Sequence, residues 1–292
     1  MAGMKVMTAT SGPGISLYSE QISFAIGSEI PIVIVDVQRL GPSTGSATKG
    51  ADGDIQFMRW GNSGGQPVIV LAPVDIKDCY ILTMHAFNLA EEFRCPVFIA
   101  ANKEVSMTRE TIDLSSLTLP KITNRKYVAD DTPFQPIGAK HLVRQTSSTH
   151  GPDGYITTDS ELIAANQERL NTKLKSGADR FTFYEEFMAP GADTLIITYG
   201  VTARAARVAV NTLCQNGHPV SLLVLKTLWP VPARLIKAKS APFKQIAVIE
   251  MNMGQYVREI KRLLGDKPVK FQGRMNGDLI TPAQIKEVLV NV

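Results

Sequence analysis

Cysteine is scarce in this sequence. Only three cysteines occur among the 292 residues, and Cys79, Cys95 and Cys214 show no CxxC or other metal-ligating spacing. The sequence therefore offers no zinc or iron–sulfur site of its own. An odd number of cysteines without a pairing pattern is typical of a reducing compartment, so we expect a cytoplasmic protein.

Long apolar runs and charge of one sign are also missing. No apolar run reaches the roughly 18 residues that a membrane-spanning helix needs, and the first residues lack the apolar stretch of a signal peptide. The net charge is only +4, and the basic residues are scattered without aromatic residues between them. We therefore expect neither a membrane span nor a nucleic-acid partner. The four histidines show no metal-ligand spacing, so we predict no metal bound by this chain alone.

Short Val- and Ile-rich runs alternate along the chain with segments of helical periodicity. This alternation indicates parallel sheets with helices on both faces, and a hydrophobic content of 44% over 292 residues suits about two domains. We predict an α/β fold with two parallel-sheet domains, at residues 1–114 and 192–292, joined by an extended connector at residues 115–191. Strands are predicted at residues 4–10, 31–37, 67–72, 96–100, 193–199, 220–225 and 245–250, and helices at about 15–27, 75–93, 160–188, 202–215, 232–240 and 255–264.

A loop rich in glycine and hydroxyl side chains directly follows the predicted strand at residues 31–37. Residues 38–45 read QRLGPSTG and contain Arg39, Ser43 and Thr44. A ligand loop in an open α/β sheet lies at such a carboxyl end, and a guanidinium can hold a carboxylate with two parallel hydrogen bonds. The alternative is an ordinary turn with a surface arginine.

A second candidate loop lies between the first predicted strand and helix. Residues 10–14 read TSGPG, so Thr10 and Ser11 are followed by Gly12 and Gly14. Backbone N–H groups at a helix start attract anions, and glycine allows close approach. The loop matches neither GxGxxG nor a P-loop, so a tight turn without a ligand stays open.

Two further loops offer polar groups but no complete catalytic set. Residues 250–255 read EMNMGQ, in which Glu250 is a base, a ligand holder or a helix cap; we favour a cap or interface role for it. Residues 60–66 form a lid or a spacer, and we favour a spacer. We find no nucleophile elbow and no Ser/His/Asp set.

Taken together and in chain order, these motifs resemble the alpha subunits of thiamine-dependent 2-oxoacid:ferredoxin oxidoreductases, in particular the 2-oxoglutarate and branched-chain types. The resemblance covers nearly the whole chain. It rests on residues 8–14, 38–39 with 41–45, 48–49, 86–90, 227–230, 250–255 and 277–282.

The resemblance implies a later part of a pyrimidine-type thiamine-binding domain, the connector, and a transketolase C-terminal-like domain. It also implies that a 2-oxoacid, with 2-oxoglutarate as first choice, coenzyme A and oxidised ferredoxin give an acyl-CoA, carbon dioxide and reduced ferredoxin. Thiamine diphosphate with Mg²⁺ would be shared with a beta subunit that carries a [4Fe–4S] cluster, and gamma and delta subunits are further candidate partners.

The resemblance also implies roles for individual residues. Arg39 matches the arginine that binds the substrate carboxylate, with Thr44 and Ser43 on the same loop. The loop from Thr10 to Gly14 would line the cofactor cleft, through Thr10, Ser11, Gly12 and Gly14. Glu250, Asn252 and Gln255 belong to a motif of the C-terminal domain or its interface.

Three departures from the family pattern stand out. The family has a front segment with a Tyr-Pro-Ile-Thr-Pro-like motif and a glutamate that protonates the aminopyrimidine ring; neither is in this sequence, so no catalytic residue is predicted. Leu40 replaces a usual glycine, and residues 61–64 lack a frequent histidine. The alternative function is therefore a truncated, non-catalytic homologue that acts as a structural or regulatory partner. A different thiamine enzyme, such as a transketolase-like protein, is a weaker alternative.

Overall fold

The computed structural model of the chain describes residues 1–124, 135–138 and 142–290. Within these ranges the strands are β1 (Met7–Ser11), β2 (Ile32–Gln38), β3 (Ile69–Leu71), β4 (Pro96–Asn102), β5 (Tyr184–Phe187), β6 (Thr194–Tyr199), β7 (Ser221–Leu225), β8 (Thr227–Trp229), β9 (Gln245–Glu250) and β10 (Val269–Gly273). The α-helices are α1 (Gly14–Leu17), α2 (Ser19–Gly27), α3 (Ile55–Trp60), α4 (Ile76–Phe93), α5 (Lys103–Met107), α6 (Ser160–Gly177), α7 (Thr202–Gln215), α8 (Ala233–Ser240), α9 (Val257–Leu264) and α10 (Pro282–Val290). None of the described helices is long and apolar enough to cross a lipid bilayer.

The first sheet has the order β1-β2-β4-β3-β8, and every pair is parallel except β3 with β8. The apolar run of β4 is buried at all of its positions, as expected for a central strand with helices on both faces. β2 pairs with β4 so that Val35 lies opposite Ile99. The carboxyl ends of β1, β2 and β4 therefore lie along one edge of this sheet.

The second sheet has the order β10-β9-β6-β7-β5 and is parallel except for β5, which pairs antiparallel with β7. The predicted α/β fold with two largely parallel sheets is thus confirmed. The sequence did not predict the antiparallel strands β5 and β8. One hydrophobic cluster contains Ile34 and Phe98 of the first sheet together with Ile197 and Val248 of the second.

The predicted helix at residues 160–188 is too long. The observed helix α6 ends at Gly177, and β5 begins at Tyr184. A Cβ at Gly177 would lie 2.4 Å from the ring of Phe93, so this position is packed tightly. The chain continues in a short 3₁₀ helix, Ala178–Phe181, whose last residue is fully buried, and this helix ends before β5 begins.

Strand pairing joins segments that the sequence analysis assigned to different parts of the chain. β5 lies in the predicted connector yet joins the second sheet, whereas β8 lies in the predicted C-terminal domain yet pairs with β3 of the first. The domain boundaries stay a prediction. Residues 125–134 and 139–141 of the connector lie outside the described residues.

A buried carboxylate and two cations link α6 to the turn that precedes β2 of the first sheet. Glu29 is 2% exposed and accepts hydrogen bonds from Arg169 and, at 2.7 Å, from Lys173 Nζ. Burial alone raises the pKa of this carboxyl, but hydrogen bonds and charge from Arg169 and Lys173 outweigh it and leave the pKa below its ordinary value. The ionised carboxylate therefore stabilises the contact.

We expect Glu29→Gln to lower the free energy of unfolding by about 3 kcal/mol, because it leaves Lys173 without its buried partner. A lowered carboxyl pKa contributes stability above the unfolded pKa of about 4.3 and loses it as the pH falls through the folded value. The difference between wild type and variant should therefore shrink in urea titrations below pH about 4. Glu92→Gln is the control, because the pair of Glu92 with Arg180 is 45% and 62% exposed and should contribute less than about 1 kcal/mol. Equal losses for both variants would contradict the prediction.

Candidate functional site

Two of the predicted loops meet at the carboxyl edge of the first sheet. β1 and β2 run parallel with Ser11 opposite Val37, so the chain leaves both strands at the same edge. Ser11 Oγ donates a hydrogen bond of 2.8 Å to the Val37 carbonyl oxygen. Gly12 has a φ of +60°, and a Cβ there would lie 2.4 Å from Arg39 Nε. The Arg39 guanidinium thus lies directly on the backbone of Gly12.

Arg39 has unused hydrogen-bonding capacity. Its Nε is buried and has no hydrogen-bond partner among the described residues. The rest of the side chain is half-buried, and no described carboxylate forms an ion pair with it. A buried donor without a partner is unfavourable, so the position is suited to a ligand that brings acceptor oxygens.

The loop that carries Arg39 has a fixed base and an exposed tip. Leu40 N donates to the Lys49 carbonyl oxygen at 2.8 Å, and Ser46 N donates to the Leu40 carbonyl oxygen at 3.0 Å. A Cβ at Gly45 would lie 1.9 Å from the Leu40 oxygen, so this turn requires glycine. Ser43 and Thr44 are exposed at the tip of the loop, where no hydrogen bond ties them to Arg39.

The Thr10–Gly14 turn presents backbone with little side chain. A Cβ at Gly14 would lie 2.0 Å from Thr10 Oγ1, so Thr10 occupies the space beside this glycine. α1 begins at Gly14, directly after the turn. Gly12 and Gly14 are therefore required here because the Arg39 and Thr10 side chains take the space that a Cβ would need.

Glu250 is the centre of a buried polar network at the carboxyl end of β9. It accepts hydrogen bonds from Tyr199 Oη at 2.6 Å and Asn252 Nδ2 at 2.9 Å. It also accepts from the backbone nitrogens of Tyr256 and Val257, each at 3.0 Å. These nitrogens begin α9, so Glu250 lies where a helix cap belongs.

The other two residues of this motif bind the segment that follows the Arg39 loop. Asn252 Nδ2 donates to the Asp52 carbonyl oxygen at 2.9 Å. Gln255 Oε1 accepts from Gln56 N at 3.0 Å, and Gln56 Nε2 donates to the Gln255 carbonyl oxygen at 2.7 Å. The motif therefore lies at the interface between the two sheets and holds residues 52–56 through hydrogen bonds.

Sequence reasoning missed two buried carboxyls, Asp36 and Asp52, and the half-buried Asp54 near this interface. Burial, with a smaller effect from Asp54, raises the pKa of Asp36 well above its ordinary value. Burial raises the pKa of Asp52 to about 7 and that of Asp54 to about 6. Asp36 could have been found, because it interrupts the apolar run of β2. Asp52 and Asp54 lie in a glycine-containing loop that gave no sign of burial.

The loop at residues 60–66 lies elsewhere. α3 ends at Trp60, and the chain then enters β3 from its amino end. Since β3 is parallel to β4 and β4 to β2, this loop is at the edge opposite Arg39. The structure does not bring it together with the other candidate loops.

Comparison with known proteins gives matches over nearly the whole chain. Residues 1–174 match the family model of the thiamine-diphosphate-binding domain of pyruvate flavodoxin/ferredoxin oxidoreductases. Residues 192–285 match core domain II of pyruvate:ferredoxin oxidoreductase.

Similar full-length proteins are subunits of oxidoreductases. The chain is 35% identical to 2-oxoglutarate synthase subunit KorA of Methanocaldococcus jannaschii, over 99% of this chain and 81% of that protein. It is 32% identical to ketoisovalerate oxidoreductase subunit VorB of Methanothermobacter marburgensis, over 99% of this chain and 77% of that protein.

Solved structures agree with these matches. The 2-oxoglutarate:ferredoxin oxidoreductase of Magnetococcus marinus, with 2-oxoglutarate, coenzyme A and succinyl-CoA bound, superposes with a TM-score of 0.88 at 31% identity. The match covers 99% of this chain and 53% of that chain, so this chain spans about half of its length. A split-gene transketolase, an inactive beta4 tetramer, shares the fold at a TM-score of 0.52 and 14% identity.

Proposed function

Because the chain belongs to the family of 2-oxoacid:ferredoxin oxidoreductase subunits, we propose that it is the alpha subunit of such an enzyme and is active only with a partner subunit. The proposed reaction is the CoA-dependent oxidative decarboxylation of a 2-oxoacid to an acyl-CoA and carbon dioxide, with the electrons passing to ferredoxin. 2-Oxoglutarate is the first candidate substrate, because several similar proteins are 2-oxoglutarate synthase subunits.

One observation carries the proposal. The Arg39 guanidinium lies on the backbone of Gly12, where the carboxyl ends of β1 and β2 adjoin, and its buried Nε has no partner among the described residues. A planar guanidinium can hold the carboxylate of a 2-oxoacid through two parallel hydrogen bonds. Arg39 would thereby orient the keto carbon, with Ser43 and Thr44 on the same loop shaping the entrance.

We assign the Thr10–Gly14 turn to one wall of a thiamine diphosphate site, because it lies within residues 1–174, which match the thiamine-diphosphate-binding family model. Arg39 and Thr10 fill the places where a Cβ of Gly12 or Gly14 would project, so the turn holds the Arg39 guanidinium against its backbone. When bound, thiamine diphosphate supplies the nucleophilic carbon and the electron sink that decarboxylation needs. This chain's residues would bind and orient the substrate beside it. We assign the diphosphate, its Mg²⁺ and a [4Fe–4S] cluster to the partner subunit.

A tagged pull-down from the native host tests the proposed function. The eluate is assayed for subunits, thiamine diphosphate, iron–sulfur absorbance and viologen reduction with a panel of 2-oxoacids plus CoA. We expect co-elution with a cluster-bearing subunit and activity that needs both substrates. A stable complex with bound cofactor but no activity on any 2-oxoacid would contradict the proposal.

We expect Gly12→Ala to lower kcat/KM for the 2-oxoacid by about a hundredfold, because a small displacement of an orienting group has effects of that size. The added Cβ would lie 2.4 Å from Arg39 Nε, so the guanidinium must move. Gly64→Ala is the matched control, since Gly64 also has positive φ but has nothing within 4 Å of its Cβ position. Both variants should lose about 1 kcal/mol of stability to backbone strain. Only Gly12→Ala should lose activity, and equal kinetics for the two would rule out this contact.

A further inference from the structure

Asp52 is a buried carboxyl with little to stabilise a negative charge. Its side chain is enclosed, with Oδ1 accepting a hydrogen bond of 3.0 Å from Asn102 Nδ2. Its Oδ2 is buried and has no hydrogen-bond partner among the described residues. Gly200, before the first turn of α7, lies close enough that a Cβ would be 3.5 Å from Oδ2, yet that turn donates no hydrogen bond to it.

The groups that face Asp52 are acidic or neutral. Glu250 at the end of β9 and Asp54 on its own segment both disfavour its ionisation, and the hydroxyl of Tyr199 donates to Glu250. At the start of α5, Lys103 and Glu104 pair with each other at 3.2 Å. No lysine, arginine or histidine forms an ion pair with Asp52 in the part of the chain that the structure describes.

Glu250 and Asp52 therefore differ in their hydrogen-bond partners. Glu250 accepts hydrogen bonds from two side chains and two backbone nitrogens. Asp52 receives one such bond and faces the charge of Glu250. A buried carboxyl in that position is more stable with its proton.

Asp52 also lies at the base of the Arg39 loop. Its backbone N donates to the Met251 carbonyl oxygen at 2.8 Å, and its carbonyl oxygen accepts from Asn252. Two residues further on, Asp54 N donates to Gln38 Oε1 at 2.9 Å. A shift of residues 52–54 would break this bond and move Gln38, the residue directly before Arg39.

We propose that Asp52 is a positioning residue and a proton-controlled latch: with its proton it keeps residues 52–54 docked on the Glu250–Gln255 turn and thereby holds Gln38 and Arg39 in place, and without it the docking loosens. The effect on substrate binding rests on the proposed function, whereas the latch itself does not. Loss of this proton should therefore weaken 2-oxoacid binding as the pH rises through neutrality.

The direction of the pH effect follows from burial. Burial, with the charges of Glu250 and Asp54, raises the pKa of Asp52 to about 7 despite the bond from Asn102. A raised carboxyl pKa means that the folded state holds a proton that the unfolded state has lost above pH about 4. The stability of the docked segment is therefore lost as the pH rises from about 4 through about 7.

Tryptophan fluorescence of the full chain, without substrate, tests the latch. The two tryptophans are Trp229, which is 3% exposed and donates to the Ile55 carbonyl oxygen at 3.2 Å, and Trp60, which is 57% exposed. In a Trp60→Phe background, the emission of Trp229 should shift to the red with a midpoint near pH 7. Hydrogen exchange of residues 39–56, corrected for the intrinsic pH dependence, should accelerate over the same range.

Two variants decide the assignment. Asp52→Asn keeps the shape of the neutral acid and should abolish both transitions, whereas Asp54→Asn removes a nearby charge and should move the midpoint to lower pH. In the assembled enzyme, KM for the 2-oxoacid should rise between pH 6 and pH 8 in wild type and stay flat in Asp52→Asn.

Absence of both transitions in the parent chain, or transitions unchanged by either variant, would overturn the latch. If Asp52→Asn does not fold, the midpoint of Asp54→Asn decides. If the fluorescence transition occurs but the assembled enzyme has no 2-oxoacid activity, the proposed function is refuted and the latch is not.

Discussion

Arg39→Ala should lower kcat/KM for the 2-oxoacid in the assembled enzyme by about a hundredfold to ten-thousandfold, because it removes two charge-assisted hydrogen bonds of about 1.5–3 kcal/mol each. The structure supplies the reason for so large an effect. Arg39 lies against Gly12, its buried Nε has no partner among the described residues, and no described carboxylate forms an ion pair with it. Steady-state kinetics at saturating CoA would measure the loss.

The controls separate charge, geometry and folding. Arg39→Lys keeps the charge but loses the planar fork, so it should recover part of the loss and no more. Arg234→Ala removes an arginine whose side chain is 89% exposed and should leave the kinetics unchanged. Circular dichroism should show the same fold for all three variants. Wild-type kinetics for Arg39→Ala would show that the carboxylate is bound elsewhere.

The neighbourhood of Arg39 and Gly12 could be predicted from the sequence because parallel strands impose it. Once residues 31–37 and the first strand are parallel neighbours, the loops at their carboxyl ends must leave the same edge. The apolar runs that identify such strands are a strong signal. The contact between Gly12 and Arg39, by contrast, depends on a φ of +60° and a side-chain rotamer, which the sequence does not encode visibly.

The polar interface between the sheets could be predicted only in part. Glu250, Asn252 and Gln255 stood out because they end a strand and precede a helix. Their partner segment, residues 52–56, gave no pattern, because its burial arises from contacts about 200 residues away in the chain. The antiparallel strand β8 was missed for the same reason: three residues with a buried tryptophan form a strand only once β3 lies beside them.

Glu250→Ala should have the largest effect on stability, a loss of about 4 kcal/mol or more in the free energy of unfolding. The substitution leaves the Tyr199 hydroxyl and the backbone N–H groups of Tyr256 and Val257 without their acceptor, and each buried donor without a partner costs about 1–3 kcal/mol. Burial, reinforced by the charge of Glu250, raises the pKa of Tyr199 well above its ordinary value, so its hydroxyl stays a donor. Urea unfolding of the full chain would measure the loss.

The same residue allows the cap to be distinguished from a catalytic base. Glu250→Gln keeps one acceptor oxygen but places an amide near N–H donors, so a cap predicts an intermediate loss of about 2 kcal/mol. A base predicts native stability and lost turnover instead. Glu259→Gln is the control on α9, the helix that Glu250 caps: Glu259 is 15% exposed, but its partner Arg262 is 62% exposed, so the variant should lose only about 1 kcal/mol. Since Asn252 bonds both Glu250 and Asp52, loss of the cap should also weaken the docking of residues 52–56 and raise KM for the 2-oxoacid. Full stability in Glu250→Gln together with lost activity would show that Glu250 acts in the reaction and not in the interface.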